Sequence, residues 1–183
     1  MATAKSSTKK AKAKPAPKDE SALKELFTGE LKDILWAEHQ LVTSLKKLSK
    51  AATSEELKNA FDTHLTETEG QITRLEKVFE SIGEQAEPKK CEAMAGLSKE
   101  AEELIKDTEE GTAVRDVALI SAAQKCEHYE IASYGTLRTL AGVLGFTEAE
   151  DLLEETLQEE KKTDELLTEL AESVINESAK NEK

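Results

Sequence analysis

VALISAAQKCEHYEIASYGTLRTLA, residues 117–141, reads as one long helix whose inward line changes character in its middle. Val117, Ile120 and Ala123 recur at helical spacing, and Ile131, Tyr134, Leu137 and Ala141 resume the same line further on. Between the two apolar runs the inward positions are Glu127 and Glu130. Thr112 precedes the pattern and Gly145 follows it, so the spacing predicts a helix over about 112–144.

Three other segments repeat this design. A helix over about 21–50 carries Leu23, Phe27, Leu31, Ile34, Leu35, Leu41, Leu45 and Leu48, broken by Glu38. A second, opened by Thr53 with Glu56 as a capping box and stopped by Gly83, carries Leu57, Phe61, Leu75, Val78, Phe79 and Ile82. His64 and Glu67 interrupt it. The last, opened by Thr147 with Glu150 and running to about Asn176, carries Leu153, Leu157, Leu167, Leu170 and Val174. Glu160 and Asp164 interrupt that line.

The turns near Ala51 and Gly145 are short and make antiparallel hairpins. The link over 83–111 is long, contains Pro88, and holds a shorter helix over about 91–107. Two hairpins joined in this way predict an all-α chain: a ferritin-like four-helix bundle over residues 21–180, whose crossover contains a short fifth helix. A long coiled coil fits less well, because the apolar period is not a sustained seven.

Composition agrees. Aromatic residues are 4% of the chain, and beyond residue 18 there is one proline. Residues 1–18 hold six lysines and no acid, leaving 19 bases against 38 acids in the rest, a net of −19. A Lys/Ala/Pro-rich tail over 1–20 is expected to be disordered. The acidic body excludes a broad nucleic-acid-binding face, whereas the tail suits weak contact with DNA or another polyanion. No apolar run is long enough to span a bilayer, and no apolar stretch follows the N-terminal charges as in a secretory signal. Cys91 and Cys126 lack CxxC spacing and fit a reducing compartment, so the expected location is cytoplasmic.

All four interruptions fall near mid-helix, and in an antiparallel bundle the middles meet at one level. Several buried carboxylates cannot all stay ionised without compensating charge. No Lys or Arg occupies those inward positions. Two divalent metal ions would supply the charge, with carboxylates and one imidazole as ligands. An oxygen-rich set favours iron or manganese over structural zinc. The candidate ligands are Glu38, His64, Glu67, Glu127, Glu130, Glu160 and Asp164. His128 points away from Glu127 and is expected at the surface or behind a ligand. Tyr134 is read as a core residue able to hydrogen-bond a ligand, and Trp36 as lying off the inward line.

With these residues placed, LWAEHQL (35–41), HLTETEGQI (64–72), AAQKCEHYEIASYGTL (122–137) and LLEETLQEEKKTDELL (152–167) resemble the YciE/YciF family of bacterial stress proteins, within the ferritin-like superfamily. The resemblance spans about residues 21–178 and implies a cytoplasmic homodimer. It also implies a centre where two metals react with dioxygen or peroxide, a role that would pass to the seven candidates. The superfamily's Glu-x-x-His signature is absent here. Helix two has the reverse order, His64-x-x-Glu67, and helix four has Glu160 and Asp164 without histidine.

Three functions remain open at this point. One is a di-metal oxidase or peroxide scavenger. Another is a protective dimer without turnover, tethered by its basic tail. The third, iron storage in a shell, ranks last because nothing in the sequence indicates a cage.

Overall fold

The computed structural model describes residues 21–182. The expected tail over 1–20 lies outside the described residues. Five principal helices follow in order: α1 (Ala22–Ala51), α2 (Glu55–Ser81), α3 (Glu92–Asp107), α4 (Ala113–Leu144) and α5 (Thr147–Leu170). A π-helical turn, Ala171–Ile175, continues α5 into a last short helix, α6 (Asn176–Asn181). Helices α1, α2, α5 and α4 form a closed ring of neighbours, the four-helix bundle expected from the apolar lines. The crossover helix α3 packs from outside against α1 and α4.

Each start and stop has a local cause. Ser21 and Thr112 cap α1 and α4 through their hydroxyls, accepting from the N–H of Lys24 and Arg115. Gly145 ends α4 in the left-handed conformation, with φ of 77°. Two capping expectations need correction. The cap of α2 is Ser54, not Thr53: its hydroxyl accepts from Leu57 N–H at 3.2 Å. Thr53 is engaged elsewhere, donating its N–H to Asp116 and its hydroxyl to the Thr112 carbonyl. Likewise Thr147 is already inside α5, and Phe146 precedes it without a side-chain cap. Phe146 stacks on Phe27 with ring centroids 6.0 Å apart, so aromatic packing sets this helix start.

The end of α5 also departs from the expected line. Val174 is 63% exposed, and Ile175 is buried in its place. The π turn inserts an extra residue into the helical period and rotates everything after it.

The core is two apolar clusters rather than one. Phe27, Leu31, Ile34, Leu75, Phe79, Tyr134, Leu137 and Leu153 belong to the first. Leu45, Leu48, Leu57, Phe61, Leu119, Ile120 and Leu167 belong to the second. On α2 and α5 the mid-helix polar positions fall between the two clusters in sequence, whereas Glu38 on α1 and Glu127 and Glu130 on α4 lie at the inner edge of the first cluster. Trp36 is half-buried against the first cluster.

Asp116 clamps the two hairpins at one end of the bundle. Sitting in the first turn of α4, it accepts from Thr53 N–H at 2.7 Å and from Ser54 N–H at 2.8 Å. Both donors lie at the start of α2, where backbone N–H groups lack partners and attract negative charge. Asp116 is 2% exposed, so its loss leaves two N–H groups without an acceptor in a part-buried turn. We expect Asp116→Ala to cost about 3 kcal/mol, read as a lower urea midpoint at unchanged slope. The exposed Asp151→Ala serves as a near-neutral control.

Candidate metal centre

At mid-height the bundle converges on charge. One ligand atom from each of His64, Glu127, Glu130 and Glu160 lies within 4.8 Å of the others. His64 comes from α2, Glu127 and Glu130 from successive turns of α4, and Glu160 from α5. Glu38 of α1 is fully buried beside them and accepts a hydrogen bond from the Tyr134 hydroxyl. None of these five residues is more than 3% exposed.

His64 Nε2 is 3.1 Å from Glu127 Oε1 and 4.0 Å from Glu160 Oε2. Its Nδ1 is 3.8 Å from Glu67 Oε2. Glu67 stands at the rim, its side chain 31% exposed, where it faces the far side of the imidazole. Asp164 is turned elsewhere. Its carboxylate accepts from Gln124 Nε2 at 3.1 Å and lies 3.3 Å from His128 Nε2. His128 itself is 71% exposed. Of the seven candidate residues the structure therefore gathers five at the centre, holds Glu67 at the edge, and engages Asp164 with other side chains.

The electrostatics of this layer are those of an uncompensated site. Burial pushes the Glu38 carboxyl up to about 7, although the Tyr134 hydrogen bond and the His64 charge pull the other way. Burial also raises Glu130 well above the carboxylate range, reinforced by Glu160, Glu38 and Glu127. Glu160 is raised well above that range by burial and by the charge of Glu127. Burial alone would lower His64, but the Glu127 carboxylate 3.1 Å away, with Glu67 and Glu160, outweighs it and holds the imidazole well above its usual range. Tyr134 is raised well above the phenol range by burial and by Glu38.

Many polar atoms here lack a hydrogen-bond partner among the described residues: Glu38 Oε2, both His64 nitrogens, Glu127 Oε2, and both carboxylate oxygens of Glu130 and Glu160. Unpaired buried polar atoms are rare in folded proteins, and each costs about 1–3 kcal/mol. Their convergence on one small volume, from several helices, fits a site built around a cation. Donors about 2.1 Å from a hard divalent ion stand about 3–4 Å apart, compatible with the spacing seen here. Four carboxylates would balance two dications. A single imidazole among oxygens matches iron or manganese better than structural zinc. The Glu67 carboxylate faces Nδ1, where an orienting partner for a metal-bound histidine belongs.

The family model described as "Domain of unknown function (DUF892)" matches residues 22–180. The chain belongs to the DUF892 family. Protein YciF of Escherichia coli (strain K12) is 51% identical over 160 residues, spanning 87% of this chain and 96% of that protein. The crystal structure of this E. coli stress protein aligns with a TM-score of 0.82, covering 86% of the present chain and 99% of its own. YcfI from Rhodopseudomonas palustris aligns with a TM-score of 0.78 at 37% identity, over 82% of this chain and 95% of that one. The relation expected from the EHYEIASYGTL segment therefore holds across the whole DUF892 bundle. No described helix is long and apolar enough to cross a membrane.

Sequence reasoning missed Gln71 and Arg74, which lie on α2 just beyond the cluster. Gln71 is fully buried. Its interval of seven from His64 places it on the same helix face, a signal that was present in the spacing.

The raised acids set a pH dependence for the metal-free DUF892 bundle. Glu38, Glu130 and Glu160 bind protons more tightly folded than unfolded, so ionising them costs the folded state. For Glu38 the loss runs from the ordinary value of 4.5 up to about 7. His64 acts in the same direction, its stabilising proton being lost as pH climbs through the raised value. Chelator-treated protein should therefore melt several degrees lower near about pH 8 than near about pH 5.5. A melting point that rises over that range contradicts this charge assignment.

Proposed function

We propose that this chain is a ferritin-like stress protein whose bundle centre holds a pair of divalent metal ions, iron or manganese. The observation that carries the reading is the convergence of Glu38, His64, Glu127, Glu130 and Glu160, all buried and with most of their polar atoms making no hydrogen bond among the described residues. Bound there, a redox-active pair would supply electrons to dioxygen or peroxide. Glu127, Glu130 and Glu160 hold the charge, and His64 contributes the one nitrogen. Tyr134 fixes the Glu38 carboxylate by donating to one of its oxygens, leaving Oε2 for the centre. The two apolar clusters exclude bulk water from above and below.

Similarity to the E. coli stress protein supports the stress-related part of this reading. A cytoplasmic homodimer is part of the same proposal, and sedimentation of the purified chain tests the dimer directly. Metal analysis by mass spectrometry after aerobic purification should find about two iron or manganese ions per chain. Glu127→Ala should lose most of that metal while keeping its helicity. Equal content in the variant, or none in wild type after reconstitution, would overturn the assignment.

A second reading concerns the tail, and its support is the charge pattern alone. The family match begins at residue 22, beyond all six lysines, which no acid interrupts. We infer that they contact DNA or another polyanion weakly and without sequence preference. Deleting residues 1–18 should then abolish retention on DNA at low salt. Unchanged retention sinks the tether.

A further inference from the structure

The centre is sealed, so anything that reaches it must pass between helices. Along most of the bundle the inward positions flanking the centre are apolar: Leu41 on α1, Ala123 on α4, Leu157 on α5 and Phe61 on α2. Polar positions break this pattern on α5 at Thr163 and, for two successive inward positions, on α2 on the side of His64 toward its C-terminus. There the next two inward positions are Thr68 and Gln71, both fully buried. Across from them on α5 is Thr156, 1% exposed. Thr68 donates its hydroxyl to the His64 carbonyl, which keeps the polar line continuous with the centre. Gln71 donates to Glu159 Oε2 at 3.0 Å, but its carbonyl oxygen Oε1 has no donor among the described residues. A buried amide oxygen without a partner is costly for a residue whose only task is to pack.

The outer end of this line is closed by one side chain. Arg74 donates from Nη1 to Glu159 at 2.8 Å and to Thr156 at 2.9 Å. From Nη2 it donates to Glu159 at 2.9 Å and to Glu155 at 2.7 Å. Arg74 is 15% exposed, Glu159 28% and Glu155 60%, so the group grades from interior to solvent over a single turn of α5. Glu159 adjoins Glu160 in the chain, linking the mouth to the centre.

We propose that the α2–α5 seam is the route by which divalent cations reach the centre, with Gln71 Oε1 as an intermediate oxygen donor and Arg74 as the latch. This rests on the metal reading above. The donors along the route are all hard oxygens: the Glu155 and Glu159 carboxylates at the mouth, then the Thr156 hydroxyl, the Gln71 amide and the Thr68 hydroxyl. Such a series exchanges the waters of a hard cation stepwise. The guanidinium neutralises the mouth at rest and holds α2 against α5. An arriving dication competes with it for the Glu159 carboxylate, and swinging Arg74 toward solvent opens the seam. The route involves no covalent or redox step.

The test follows Mn(II) uptake into chelator-stripped full-length protein, with equilibrium occupancy measured in parallel. Arg74→Ala should load roughly tenfold faster, the equivalent of about 1.4 kcal/mol of latch, and reach wild-type occupancy. Arg74→Lys, which keeps the charge, should lie between the two. Gln71→Leu, which keeps volume but removes the oxygen, should load roughly fivefold slower at unchanged final occupancy. Circular dichroism confirms that each variant is folded. Full occupancy with wild-type rates in both Arg74→Ala and Gln71→Leu overturns the seam while leaving the metal centre standing. Wild-type protein that takes up no Mn(II) at all overturns the centre, and the seam with it.

Discussion

Burying four carboxylates and an imidazole at one level of a helix bundle is the constraint on which the rest of this structure depends. In water those groups would be ionised and solvated at little cost. Inside the bundle they must be protonated, paired or neutralised by a cation. Without a cation the fold resorts to the first two: burial pushes the carboxyls upward, and the neighbouring Glu127 raises the His64 imidazole. That arrangement leaves many of their atoms without partners. The apolar clusters on either side hold the layer in place, and α3, packed against α1 and α4, thickens the wall near Cys91 and Met94.

The attachments around the layer are specific rather than merely apolar. Tyr134 serves both the first apolar cluster and the centre, its ring fully buried and its hydroxyl on Glu38. Tyr129 points the other way along α4. Its hydroxyl donates to Asp33 at 2.8 Å and lies 3.1 Å from the Cys91 sulfur, joining α4, α1 and the start of α3. Cys91 Sγ also accepts from Met94 N–H and so caps the crossover helix. Both cysteines are thus accounted for by burial and local bonding, and burial pushes the Cys126 thiol up to about 12. Such a thiol is unreactive at ordinary pH.

Much of this was legible in the sequence, because helical periodicity reports burial directly. The apolar lines located the four main helices, and their interruptions marked Glu38, His64, Glu127, Glu130 and Glu160 as residues at one level. What periodicity cannot report is the rotation of a helix by a fraction of a turn. Asp164 is one turn beyond Glu160, yet α5 presents it toward α4, where Gln124 and His128 meet it. Glu67, three residues from His64, sits a little round the helix and reaches solvent. The π turn at Ala171–Ile175 has no residue signature of its own, so Val174 and Ile175 exchanged roles unseen. The displaced caps at Ser54 and Phe146 have a similar origin: distant partners, Asp116 and Phe27, decided between adjacent residues. Gln71 and Arg74 escaped notice because a polar residue on an inward line is conspicuous only once its opposite helix is known.

The charged layer is shared between the two hairpins. Glu38 and His64 come from α1 and α2, while Glu127, Glu130 and Glu160 come from α4 and α5. Neither half contains a complete set of donors. A cation gripped there by both halves acts as a removable cross-link between segments far apart in the chain, comparable in effect to a disulfide but released by competition rather than reduction. With such a cation bound, the cohesion of the molecule would follow the free metal concentration around it.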